Sequence, residues 1–175
     1  EDLYKVIHSS IAELIHTNNL FVAILNKETN LISFPYYVDI NDSIPENSIE
    51  LGKGLTSIII KSSEPLLIDK DQYNNLVGLD KLGTIPESWL GVPLKLHNNE
   101  TIGVLAIQSY SKDITFAEDD LKILTFAAEQ LTLAIEKFNA IEQIEKKSKF
   151  DDLTGLPNKT SFFYSALSMI QDAKK

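Results

Sequence analysis

Apolar residues return every three or four positions at the start of the chain. Within residues 2–16 they are Leu3, Val6, Ile7, Ile11, Leu14 and Ile15. That spacing predicts an amphipathic helix with one buried stripe. The pattern then changes to short apolar runs, "NLFVAILN" (19–26) and "NLISFPYYVD" (30–39), with the polar segment "KETN" between them. Two such runs around a short polar turn predict a hairpin. Residues 40–50, "INDSIPENSIE", have the composition of a loop. "GLTSIIIKSS" (54–63) predicts a short helix and "EPLLID" (64–69) a short strand, whose Pro65 suits an edge or a strand start. A second loop-rich stretch, 70–88, carries Gly78, Gly83 and Pro86. The strongest strand pair follows, "SWLGVPLKL" (88–96) and "TIGVLAIQSY" (101–110), joined by "HNNE".

The last element is a long helix. Thr115 and Glu118 in "TFAE" have the spacing of a capping box, and Asp119 and Asp120 complement the positive end of the helix dipole. About thirty residues then pass without Pro or Gly, which exceeds the ~8–20 residues typical of a globular helix. Leu121, Leu124, Ala128, Leu131, Ile135 and Phe138 keep a spacing of three or four, but the next positions in register are Glu142 and Glu145. The apolar residues instead become Ile141 and Ile144. A shifted seam of this kind predicts that the first half packs on its own domain, and that Phe138, Ile141 and Ile144 form a stalk facing a partner helix. One sheet with a helix before it, a helix after it and a loop-rich middle is an α+β layout.

Composition narrows the chemistry. Residues 1–140 hold 20 acidic residues against 10 lysines, and the whole chain is at −9. Such a domain repels a phosphate backbone, so nucleic acid is not an expected partner. All sixteen basic residues are lysine. An anionic ligand gripped by a guanidinium fork is therefore excluded. The absence of cysteine removes disulfides, thiolate metal sites and thiol nucleophiles, and fits a reducing cytoplasm. No apolar run approaches the ~20 residues of a membrane-spanning helix.

Several segments invite sharper readings. "GKG" (52–54) suggests a phosphate loop, but position 47 is Asn where that motif needs Gly. Glu118, Asp119 and Asp120 are better explained as helix-start residues than as a metal site. His8 and His16 lie too far apart on one helix to share a metal, and His97 sits in a turn. Neither a zinc constellation nor a Ser-His-Asp triad is expected.

Three blocks in order, "LGKGLTSIIIKSSEPLLI", "SWLGVPLKLHNNETIGVLAIQSY" and "TFAEDDLKILTFAAEQLTLAIEK", resemble the GAF domain family over residues 3–140. The resemblance implies an antiparallel sheet flanked by the N- and C-terminal helices, with a long C-terminal signalling helix. It implies a small-molecule pocket between the sheet and the loops at 40–63 and 70–88. Phe34, Tyr36, Tyr37, Tyr73, Trp89 and Tyr110 are the candidates to line it, and each is otherwise a core aromatic. The ligand is unknown. A covalent bilin needs a cysteine this chain lacks, and so does the family's reduction of methionine sulfoxide. Asn26, Lys27, Phe34 and Asp39 echo a cyclic-nucleotide pattern of the family, but with altered spacing and Ile40 in place of Glu.

Near the end, Asp151, Leu153, Thr154, Gly155, Leu156, Pro157 and Asn158 resemble the opening segment of GGDEF domains, with Lys159 where that family usually has arginine. Those domains make cyclic di-GMP from two GTP, using metal-binding aspartates further along. The expected organisation is thus a GAF sensory domain at 1–138, a helical stalk at 139–150 and a truncated GGDEF start at 151–175. On that reading the chain is a non-catalytic, cytoplasmic, homodimeric regulatory piece of a diguanylate cyclase, with GTP and magnesium belonging to the missing output domain. A ligand-free dimerising spacer, or the sensor of a GGDEF-containing phosphodiesterase, are the alternatives.

Overall fold

The computed structural model describes residues 2–45, 47–80 and 83–149. The order is α1 (Asp2–Ile15), β1 (Asn19–Asn26), β2 (Leu31–Val38), β3 (Ile49–Glu50), α2 (Leu55–Ser62), β4 (Leu66–Asp69), α3 (Lys70–Asn75), β5 (Ser88–Lys95), β6 (Thr101–Ser109) and α4 (Glu118–Lys149). The strands form one antiparallel sheet in the order β3-β2-β1-β6-β5-β4. The α+β fold expected from the sequence is the one observed. Both hairpins form, and the strand after Pro65 lies at the sheet edge, where a residue without an N–H costs no ladder bond. The chain divides into two compact units, Glu1–Leu133 and Ala134–Lys175. The GGDEF-like residues 151–158 lie outside the described residues.

The sheet in the first unit is apolar on both faces. Phe21, Ala23, Ile32, Trp89, Val104 and Ala106 share one face and pack with Ile59 and Ile60 of α2, Ile68 of β4 and Tyr73 of α3. The alternate positions Leu20, Val22, Leu90, Val92, Leu94, Leu105 and Ile107 point to the other face and are all at most 1% exposed. There α1 packs through Tyr4 and His8 on Tyr36, and α4 contributes the buried Leu124, Ala128 and Leu131.

Gly91 shows how closely α2 is seated. A Cβ at that position would lie 2.4 Å from the Trp89 ring and 2.7 Å from Ile59 Cδ1. The missing side chain lets the indole fold back along its own strand beneath α2.

Four expectations need correction. In α1, Ile11 and Ile15 are buried, but Leu3, Val6 and Leu14 are 41%, 63% and 61% exposed; the apolar arc is wider than the face the sheet covers. The loop-rich stretch 70–88 contains α3, begun by a capping box in which Asp69 accepts from the Gln72 amide and Gln72 accepts from the Asp69 amide. The stretch 40–50 contains the two-residue β3. Finally, α4 starts two residues later than a Thr115 cap would place it. The Ala117 carbonyl accepts from the Leu121 amide at 3.1 Å, and Asp120 accepts from the Ala117 amide at 2.8 Å. Phe116, 4% exposed and held by its N–H to Ser88 Oγ, keeps the preceding segment out of the helix.

Candidate functional site

A cavity of about 820 Å³ lies between the first sheet face, the start of α2 and the two loop stretches. Ligand pockets usually span ~300–1,000 Å³, so the size suits a small molecule. Its floor is aromatic. Phe21, Phe34 and Tyr37 form a triad with centroids 5.6–6.0 Å apart, in stacked and edge-on arrangements, and Trp89 continues the floor on β5. Tyr73 from α3 and Leu55 to Ser57 from the first turn of α2 supply walls.

This triad depends on an irregularity. Tyr37 pairs with Phe21 and Tyr36 with Val22, whereas Ser33 pairs with Ile24, so the register shifts between Val22 and Ile24. The extra residue on β2 inverts the alternation beyond it. Phe34 and Tyr37, three apart, therefore share the cavity face. Tyr36 is turned to the opposite face, where its hydroxyl meets His8 Nδ1 at 2.7 Å. Tyr36 is thus corrected from cavity lining to a seat for α1. His8 Nε2 is buried and makes no well-formed hydrogen bond among the described residues. Burial lowers the His8 pKa, and the Asn18 backbone raises it by a smaller amount.

Polar residues bracket one end of the cavity. The Tyr110 hydroxyl lies 3.0 and 3.1 Å from the Asp39 oxygens and 3.1 Å from Asp42 Oδ2. Gln108 Nε2 donates to Asp39 and to the Tyr110 oxygen. Asp42 in turn accepts from the amide and hydroxyl of Thr84. Burial, then the Asp39 and Asp42 charges, holds the Tyr110 phenol well above the ordinary tyrosine value. Burial and the same two carboxylates push Tyr37 up to about 12. At a second end, Asp80 Oδ2 accepts from the Lys53 amide at 3.3 Å. The loops that roof the cavity are thus tied down by carboxylates.

Of the six aromatics expected at a pocket, four meet here: Phe34, Tyr37, Tyr73 and Trp89. Tyr110 stands behind the wall and holds Asp39 and Asp42 in place. The sequence reading did not single out Phe21, Asp42 or Asp80. Phe21 was legible as the inward neighbour of a paired strand; the two aspartates were not, because their partners are 42 and 27 residues away. Among the described residues, no group of three His, Asp or Glu could hold a metal ion.

On α4, Phe138, Ile141 and Ile144 are 69%, 57% and 67% exposed. Phe126 and Leu133, unremarked in the sequence, are also exposed. No helix among the described residues is long and apolar enough to cross a membrane.

The fold recurs in known structures. The GAF domain of an Acinetobacter phosphoenolpyruvate-protein phosphotransferase superposes with a TM-score of 0.64 at 19% identity, over 79% of this chain and 82% of that one. The GAF domain of a Bacillus halodurans two-component sensor histidine kinase gives 0.64 at 18% identity, over 81% and 96%. A type II free methionine-R-sulfoxide reductase from Thermoplasma acidophilum gives 0.56 at 18%, over 78% and 96%. At these identities the likeness establishes the fold alone. No curated protein matches the sequence. The family model described as GAF domain matches residues 1–136, and so, on sequence and fold together, this chain belongs to the GAF domain family, the regulatory sensor modules of signalling proteins.

Proposed function

We propose that the chain is a ligand-sensing, dimerising module, itself non-catalytic, that works in the cytoplasm and controls a diguanylate cyclase output. The observation that carries the sensing part is the 820 Å³ cavity with its aromatic floor. A dimerising spacer has no need of such a space, and a filled interior would have favoured that alternative. Ligand contact is assigned to Phe34, Tyr37, Tyr73 and Trp89. The diguanylate cyclase part rests on the GGDEF-like segment from Asp151 to Asn158.

Homodimerisation is supported by the exposed Phe138, Ile141 and Ile144. Burying a large apolar side chain in a partner contributes ~1.5–3 kcal/mol. A ligand that binds two arrangements of the dimer unequally would shift their balance and so regulate a two-domain active site.

Native mass spectrometry of the gently purified protein tests the reading. A dimer with a reproducible added mass supports a sensor, and a bare dimer returns the spacer. If Ile141→Asp with Ile144→Asp leaves both dimerisation and cyclase activity of the full-length protein unchanged, the stalk has no such role.

A further inference from the structure

We infer that the cavity selects a flat nitrogen heterocycle without phosphate, uncharged or carrying one positive charge. This rests on the sensor reading and specifies its ligand. Shape is set by the floor. Phe34 and Tyr37 are only half-buried and turn toward the cavity over the buried Phe21 and Trp89. Aromatic faces of this kind favour a planar partner, and their quadrupoles favour a cationic one.

Charge is set by the rim. Among the described lining residues, Asp42, Glu50 and Asp80 oppose the one ammonium of Lys53. The surrounding chain is acidic and contains no arginine. A phosphate entering there meets repulsion with no bidentate donor to offset it.

One feature works in the opposite direction. The first turn of α2 faces the cavity, and its N-cap Gly54 makes no side-chain cap bond. A helix N-terminus carries roughly half a positive charge. Yet Asp80 already sits on the Lys53 amide beside that turn, so a full negative charge from the protein answers the partial positive one. The remaining amides suit a carbonyl oxygen or a ring nitrogen better than a second anion.

Trp89 is the only tryptophan in the chain and forms part of the floor, so its fluorescence reports occupancy directly. The protein is titrated with proflavine (flat, cationic), lumichrome (flat, neutral) and adenosine 5′-monophosphate (flat, with a phosphate), and heats are measured in parallel. The expected result is saturable quenching by the first two and binding of the monophosphate at least about tenfold weaker. Glu50→Lys, an exposed change, should weaken proflavine by about three- to tenfold and spare lumichrome. Thr56→Phe, which fills the cavity, should abolish both.

A monophosphate that binds as tightly as proflavine overturns the ligand class and leaves the sensor reading standing. Proflavine binding indifferent to both substitutions reveals adsorption to an acidic surface and also overturns it. Silence from all three probes removes the heterocycle, while an added mass on the native dimer would still uphold a sensor.

Discussion

Asp42 and Thr84 lie on separate loops over the cavity and are clasped together: one carboxylate accepts the Thr84 amide at 2.9 Å and the Thr84 hydroxyl at 2.9 Å. The approach requires the glycine before Thr84. Gly83 has φ +75°, and a Cβ there would stand 2.6 Å from Asp42 Oδ2. Asp42→Ala should release both loops. Amide exchange within 39–45 and 83–86 is expected to accelerate while β1, β5 and β6 stay protected, at a cost of ~1–3 kcal/mol. Unchanged exchange in the two loops would refute the clasp.

Gly91→Ala tests the seat of α2. With 2.4 Å to the indole and 2.7 Å to Ile59, a methyl group must displace one of them. The expected loss is ~1–3 kcal/mol, as for other overpacked cores, together with a shift in Trp89 emission as the ring moves toward the cavity. Wild-type stability and emission would show that α2 is seated less closely.

Tyr110→Phe removes the hydroxyl that faces Asp39 and Asp42. A loss of ~1–3 kcal/mol is expected, because the two carboxylates are left with one donor fewer. The raised phenol pKa also gives an alkaline signature. Above pH ~10 the unfolded chain gives up this proton and the folded chain keeps it. Stability contributed by Tyr110 is therefore present below that pH and falls as pH rises; Tyr37, raised to about 12, acts in the same direction. Denaturant unfolding between pH 9 and 11 checks this, with Tyr110→Phe expected to flatten the slope.

His8 supplies the opposite dependence on the acid side. Its pKa is lowered in the folded chain, first by burial, with the ring set edge-on against Tyr36, so below pH ~6.5 the unfolded state binds the proton more readily. Stability should rise with pH through the window from the lowered value up to ~6.5 and be lost as pH falls through it. His8→Phe is expected to remove that component of the slope. An unaltered slope would place the acid sensitivity elsewhere.

Local patterns settled much of this protein. Alternation and turn composition determined both hairpins, the edge position after Pro65 and the long α4, because period and turn chemistry act within a few residues. α3 was legible too, in the D-x-x-Q spacing of Asp69 and Gln72, had the loop composition around it not masked the capping signal. The breadth of the apolar arc on α1 was visible, but how much of it is covered depends on the width of the sheet face beneath it. Tertiary structure alone decided the site. A one-residue shift on β2 sends Tyr37 to the cavity and Tyr36 to α1, and no local preference distinguishes two adjacent tyrosines. Asp42 and Asp80 read as ordinary loop aspartates until the fold brings their partners within hydrogen-bonding distance, since such bonds depend on chain closure rather than on neighbours in sequence.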